Sequence, residues 1–180
     1  MASVALFGFA VLLLLLQAVL HTLVPTTAPL PAFALLTPLY VGFSPRWSPA
    51  GATAFALVIG YLFDLVSGAP TGVHAFATPL VVLLGSFVAT ALQVRGVLAR
   101  TVASFVLVTV FGSLVLGLSV LLNTGAWRGF GRLIFEAAFS AATAPPLFAL
   151  FDRIDRRFDK SAVRMRPRGR GRDTGIELSR

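Results

Sequence analysis

Apolar residues run along this chain in long blocks, separated by short stretches rich in Pro, Gly, Ser and Arg. The two-residue alternation of a membrane barrel strand is absent from these blocks. A helix needs roughly 20 apolar residues to cross ~30 Å of hydrocarbon at ~1.5 Å per residue. Six blocks meet or approach that length: Ser3 to Val24, Ala28 to Phe43, Pro49 to Val66, Val73 to Val94, Val102 to Leu122 and Leu133 to Phe151. The first lacks a basic leader and a small-residue cleavage site, so it reads as a helix and not a signal peptide. The second is short and carries Pro29, Pro31 and Pro38, which remove backbone donors and kink helices. It predicts either a bent span or a re-entrant hairpin covered by protein.

Composition supports the same class. The chain has 180 residues, 57% of them hydrophobic. Only 12% are charged, against ~25% in an average soluble domain. Mean hydropathy is +0.87. A soluble fold of this size could not hide that much apolar surface, and a disordered chain needs the opposite composition. The predicted fold is an all-α polytopic membrane protein, a six-transmembrane-helix bundle. Residues 1–151 form a single transmembrane domain. Residues 152–180 form a basic tail, interfacial at first and disordered beyond. Cys is absent, which excludes disulfides, thiolate nucleophiles and Cys-ligated metal.

Charge then sets orientation, because short loops rich in Lys and Arg stay on the cytoplasmic side. With six spans both termini share one side. Placing them inside puts Arg46, Arg95, Arg100 and the ten basic residues of the tail in the cytoplasm, leaving only Arg128 and Arg132 outside. Both termini are therefore expected in the cytoplasm. A re-entrant second block would move the N-terminus outside and keep the tail inside. The net charge of +8 is concentrated in the tail, where Phe151, Ile154 and Phe158 recur at helical spacing among Arg153, Arg156, Arg157 and Lys160. That pattern reads as an interfacial helix on anionic lipid. A cytoplasmic protein partner is a second reading. Nucleic acid is a poor one, because no aromatic residues interleave the arginines beyond Arg166.

Polar groups at membrane depth are few: Gln17, Asp64, Asn123 and Glu136, with His21 and His74 near outer ends. A carboxylate there costs at least ~2.5 kcal/mol, so Asp64 is the leading candidate. Ala52, Ala56, Gly60 and Asp64 recur at steps of four, one ridge of a helix. Gly68 and Gly72 continue the count into the following turn. A ridge of small residues admits a close neighbour and would present Asp64 to it. Gly68 is placed to end the helix, Pro70 and Gly72 to turn the chain, and His74 to open the next span close to Asp64. Three readings stay open: a structural bond fixing the hairpin, a contact to a partner subunit, or a proton or substrate site. Glu136 has Arg132 one turn away to neutralise it. Gln17 reads as an interhelical hydrogen-bonding residue, and Tyr40, Trp47 and Trp127 as interfacial anchors. No nucleophile elbow, phosphate loop, zinc motif or carboxylate pair at a catalytically useful spacing occurs, so no catalytic, metal or cofactor site is expected.

The stretch Gly60-x-x-x-Asp64-x-x-x-Gly68-x-x-x-Gly72-x-His74-Ala75 resembles the signature of the bacterial rod shape-determining MreD family. Length, about six spans and the lack of room for a soluble domain agree with that resemblance. It implies an inner-membrane, non-catalytic scaffold of the machinery that guides lateral peptidoglycan synthesis. It implies association with MreC and, through the same complex, with RodA, an elongation penicillin-binding transpeptidase and the MreB filament. It also implies a fold related to the substrate-binding subunits of energy-coupling factor vitamin transporters. Only Gly60, Asp64, Gly68, Gly72 and His74 carry over, in a structural or partner-facing role. The Arg-rich tail departs from the family pattern. The alternative function is such a transporter subunit, which would need a polar pocket near the outer face. His21, Asp64, His74, Asn123 and Arg128 are the residues available for one.

Overall fold

The computed structural model describes residues 2–23, 32–67, 71–91, 96–122 and 130–164. They form six helices: α1 (Ala2–Leu23), α2 (Phe33–Phe43), α3 (Pro49–Ser67), α4 (Val73–Ala91), α5 (Val97–Leu121) and α6 (Phe130–Arg164). Five of them are long and apolar enough to cross a membrane. Their outer faces carry bare Leu, Val and Phe, such as Phe87 at 69% and Leu121 at 85% exposure. In water such faces would be an aggregation hazard; against lipid tails they need no cover.

The second block differs from the other five. α2 has only 11 residues, about 16 Å at the usual rise, roughly half the hydrocarbon thickness. Every residue from Ala34 to Phe43 is buried, so α2 is the core helix around which the longer ones pack. Its C-terminal end lies beside α6, where the Tyr40 ring sits 5.8 Å from Phe148 and 5.1 Å from Phe151. Phe9 of α1 stands edge-on to the same Phe151 at 5.9 Å. The start of α1 and the end of α2 therefore share one end of the bundle. With Ala34 at the start of α2 bonded to Gln17 late in α1, α2 runs antiparallel to α1.

A helix that begins inside the membrane leaves N–H groups with no water to satisfy them. Two side chains supply acceptors. Ala34 N–H donates to Gln17 Oε1 at 2.9 Å, and Ala32 N–H donates to Ser140 Oγ at 2.8 Å. Ser140 in turn donates to the Glu136 carbonyl one turn back. Gln17 thus makes the interhelical bond its position predicts. Pro38, Pro79, Pro145 and Pro146 all lie within helices, tolerable where neighbouring groups take up the freed carbonyls.

The boundary drawn at residue 151 cuts a continuous helix. α6 runs unbroken to Arg164. Its buried positions Ala137, Ala141, Ala144, Phe148, Phe151 and Asp155 follow steps of four and three, one face of a helix. Asp155 is the last of that stripe and is buried in the bundle. Arg153, Arg156 and Arg157 are exposed on the other faces. The Lys160 side chain and residues 165–180 lie outside the described residues.

Candidate functional site

The sequence ridge on α3 meets α4 of the same chain. Ala52 and Ala56 are buried in the core, at 1% and 0% exposure. Gly60 sits hard against the first turns of α4. A Cβ at this position would come 2.5 Å from the His74 carbonyl oxygen, 2.9 Å from Thr78 Oγ1 and 3.0 Å from Ala75 Cα. Only a residue without a side chain permits that approach. The close neighbour the ridge calls for is therefore internal, and α4 leaves no room for a partner helix on this face.

One turn beyond Gly60, the close approach brings Asp64 to the N-terminus of α4. Gly72 opens that helix: its carbonyl accepts Phe76 N–H at 2.9 Å, and its φ of +107° favours glycine. The exposed donors of the first turn point back at α3. Asp64 Oδ2 accepts Gly72 N–H and Ala75 N–H, each at 2.9 Å. Asp64 Oδ1 accepts His74 N–H at 2.9 Å and lies 2.8 Å from His74 Nδ1. An ionised carboxylate only accepts, so His74 donates from Nδ1. A capping side chain ordinarily belongs to the residue that starts the helix. Here it comes from the preceding helix, and its charge faces the positive end of the α4 dipole. Asp64 is 1% exposed.

The His74 ring is fixed on its other faces by aromatics. Phe63 stands edge-on at 4.3 Å, and Phe111 of α5 lies 6.0 Å away. The site thus ties α3, α4 and α5 together at the end of the bundle opposite Phe151. All four donors at the carboxylate come from the protein's own hairpin. Chemically the arrangement is a latch. Of the other predicted residues, Gly68 lies outside the described residues, as do Arg95, Asn123, Trp127 and Arg128. So do the side chains of His21 and Arg132. Among the described residues no three His, Asp or Glu side chains come together as a metal site would require.

A second polar group lies at the opposite end and escapes the sequence reading. Tyr40 Oη is 2.9 Å from Asp152 Oδ1 and 3.0 Å from Asp155 Oδ2. Arg100 Nη1 donates to Asp152 Oδ2 at 3.2 Å, and Arg46 Nη1 lies 3.7 Å from Asp155 Oδ2. The signal was present: Asp155 falls four residues after Phe151 on the apolar stripe of α6. Its neighbours Arg153, Arg156 and Arg157 mask it in any charge count.

Comparison with known proteins agrees with the resemblance. The family model for MreD, rod shape-determining protein, matches residues 1–154. No curated protein and no solved structure matches the chain.

Proposed function

The chain belongs to the rod shape-determining protein MreD family and is a multi-pass protein of the bacterial inner membrane; from that premise we propose that it is a non-catalytic scaffold subunit of the cell-elongation machinery. In this reading it guides lateral peptidoglycan synthesis by docking MreC. RodA, the elongation transpeptidase and MreB join through the same complex. The basic end faces the cytoplasm, as the distribution of Arg46, Arg100 and the α6 arginines favours, and Arg153, Arg156, Arg157 and Lys160 rest on anionic lipid. The Asp64 latch then lies at the outer end.

The observation that supports a scaffold role for this site is that the Asp64 carboxylate is fully occupied by its own hairpin. A transport or proton site would keep part of such a group open to its cargo. The ridge of Ala52, Ala56 and Gly60 acts on the partner indirectly, by holding α3 and α4 in one fixed pose whose outer surface MreC meets. The test is affinity purification of the tagged protein from its own membranes in mild detergent, with mass spectrometry of the co-purifying proteins. MreC and RodA are expected. Recovery of transporter ATPases with a coupling membrane subunit, and no MreC, would replace this reading with the vitamin-transporter one.

A further inference from the structure

At the basic end, the loop between α2 and α3, the start of α5 and the C-terminal part of α6 enclose an open cavity of about 270 Å³. Its charged lining is Arg46, Arg100, Arg156, Asp152 and Asp155. Three guanidiniums face two carboxylates, so the lining holds one positive charge in excess. The carboxylates are already engaged, by Tyr40 Oη, Arg100 and Arg46.

Arg100 and Arg156 have donors to spare. A guanidinium carries five N–H groups in a planar fork. Arg100 commits one nitrogen to Asp152, while its Nε is buried with no hydrogen-bond partner among the described residues. A buried donor without an acceptor is unfavourable, and a bound anion would relieve it. Arg156 is held by Nε on the Asp152 carbonyl at 3.2 Å, which fixes its stem and leaves the two terminal nitrogens at the pocket. One turn deeper on α2 and α5, the hydroxyls of Thr37 and Ser104 are also buried without partners among the described residues.

Size and position select the occupant. The cavity lies just below the ~300–1,000 Å³ of sites that enclose drug-sized ligands, so it takes a small group and not a whole metabolite. Phe43 and Pro45 add an apolar rim. The cavity sits at one end of the bundle, where the apolar stretches of α5 and α6 give way to Arg100, Asp152 and Asp155, the composition expected where a span meets lipid headgroups. A single excess positive charge, planar forks and an apolar rim together match a phosphodiester with a glycerol and acyl chains attached.

We propose that this cavity is a specific site for the phosphodiester headgroup of an anionic phospholipid, one lipid per chain. Arg100 and Arg156 hold the phosphate oxygens. Asp152 and Asp155 hold the arginines in place and limit the site to one negative charge. This is distinct from diffuse attraction of the α6 arginines to a charged surface, which needs no cavity and no order.

The experiment uses the full chain, purified in neutral detergent and stripped of lipid. Native mass spectrometry and thermal unfolding are followed on adding phosphatidylglycerol, phosphatidylcholine or inorganic phosphate in 0.5 M NaCl. At that salt, charge interactions across more than a few ångströms are screened. The expected result is a single phosphatidylglycerol adduct that raises Tm and persists in salt. The Arg156→Gln and Arg100→Gln variants should weaken it about tenfold, the loss of one charge-assisted contact, while Arg170→Gln in the tail leaves it unchanged. Arg156→Gln carries the test if Arg100→Gln fails to fold. Three results would overturn the proposal: adducts of graded stoichiometry abolished by salt, equal weakening by Arg170→Gln, or the same Tm rise from inorganic phosphate alone.

Discussion

Substituting Asp64 by Asn separates a capping latch from a generic polar contact. The two side chains have the same shape, but Asn has one acceptor oxygen and one NH₂. Turned with its oxygen at the Oδ2 position, Asn keeps the bonds from Gly72 N–H and Ala75 N–H. Its NH₂ then faces His74 N–H and His74 Nδ1. A neutral imidazole can move its proton to Nε2, and Nδ1 then accepts from the amide. One group is left orphaned, the backbone N–H at position 74. A buried unsatisfied donor costs ~1–3 kcal/mol, so Asp64→Asn should destabilise by that amount. In a His74→Phe background the imidazole acceptor is gone. Both the NH₂ and the N–H then lack partners, and the same substitution should cost about 2–6 kcal/mol. The ring contacts to Phe63 and Phe111 survive that change in shape. The four proteins form a double-mutant cycle, measured by denaturant or steric-trap unfolding in lipid–detergent micelles. An equal cost of Asp64→Asn in both backgrounds would refute the tautomer argument, and no cost in either would refute the latch.

Gly60→Ala places a methyl against the α4 backbone at His74 and Ala75, and should lower stability by about 1–3 kcal/mol, read as a fall in Tm. Gln17→Leu and Ser140→Ala each remove the acceptor of a backbone N–H at the start of α2, from Ala34 and from the preceding Ala32. Each should cost ~1–3 kcal/mol, whereas Leu16→Ala on the lipid-facing side of α1 should cost much less. Tyr40→Phe removes the hydroxyl held between Asp152 and Asp155 and should destabilise by about 1–3 kcal/mol in the same unfolding assay. Gly72→Ala meets open space but a φ of +107°, so its cost of roughly 1 kcal/mol or more should come from backbone strain alone.

The sequence makes much of this legible because hydropathy is additive along a helix. Five long spans follow from block length alone. The nearness of Asp64 and His74 follows from a ridge at steps of four feeding a Gly/Pro turn. The identity of the donors does not. Three of the four are backbone N–H groups, present at every non-proline residue, and only the helix start at Gly72 singles these out. α2 is less legible for a different reason. A window of hydropathy spreads an 11-residue buried helix over its proline-rich flank, so the block reads as a weak span instead of a half-length core helix. The Tyr40–Asp152–Asp155 group stays hidden because composition averages over a helix's faces. Ten basic residues after position 151 make the segment read as an interfacial basic tail, although Asp155 continues the buried stripe that runs through Phe148 and Phe151.

If the closed α3–α4 hairpin makes the surface on which MreC docks, opening it should release MreC. The measurement is the amount of MreC recovered with the tagged chain when Asp64→Leu or Gly60→Leu replaces the native residue, at matched levels in the membrane. Both positions are buried, so neither substitution touches a lipid-facing residue. Normal insertion with a several-fold loss of MreC from each is expected. Undiminished MreC recovery with both variants, inserted and present at native levels, would rule this docking surface out.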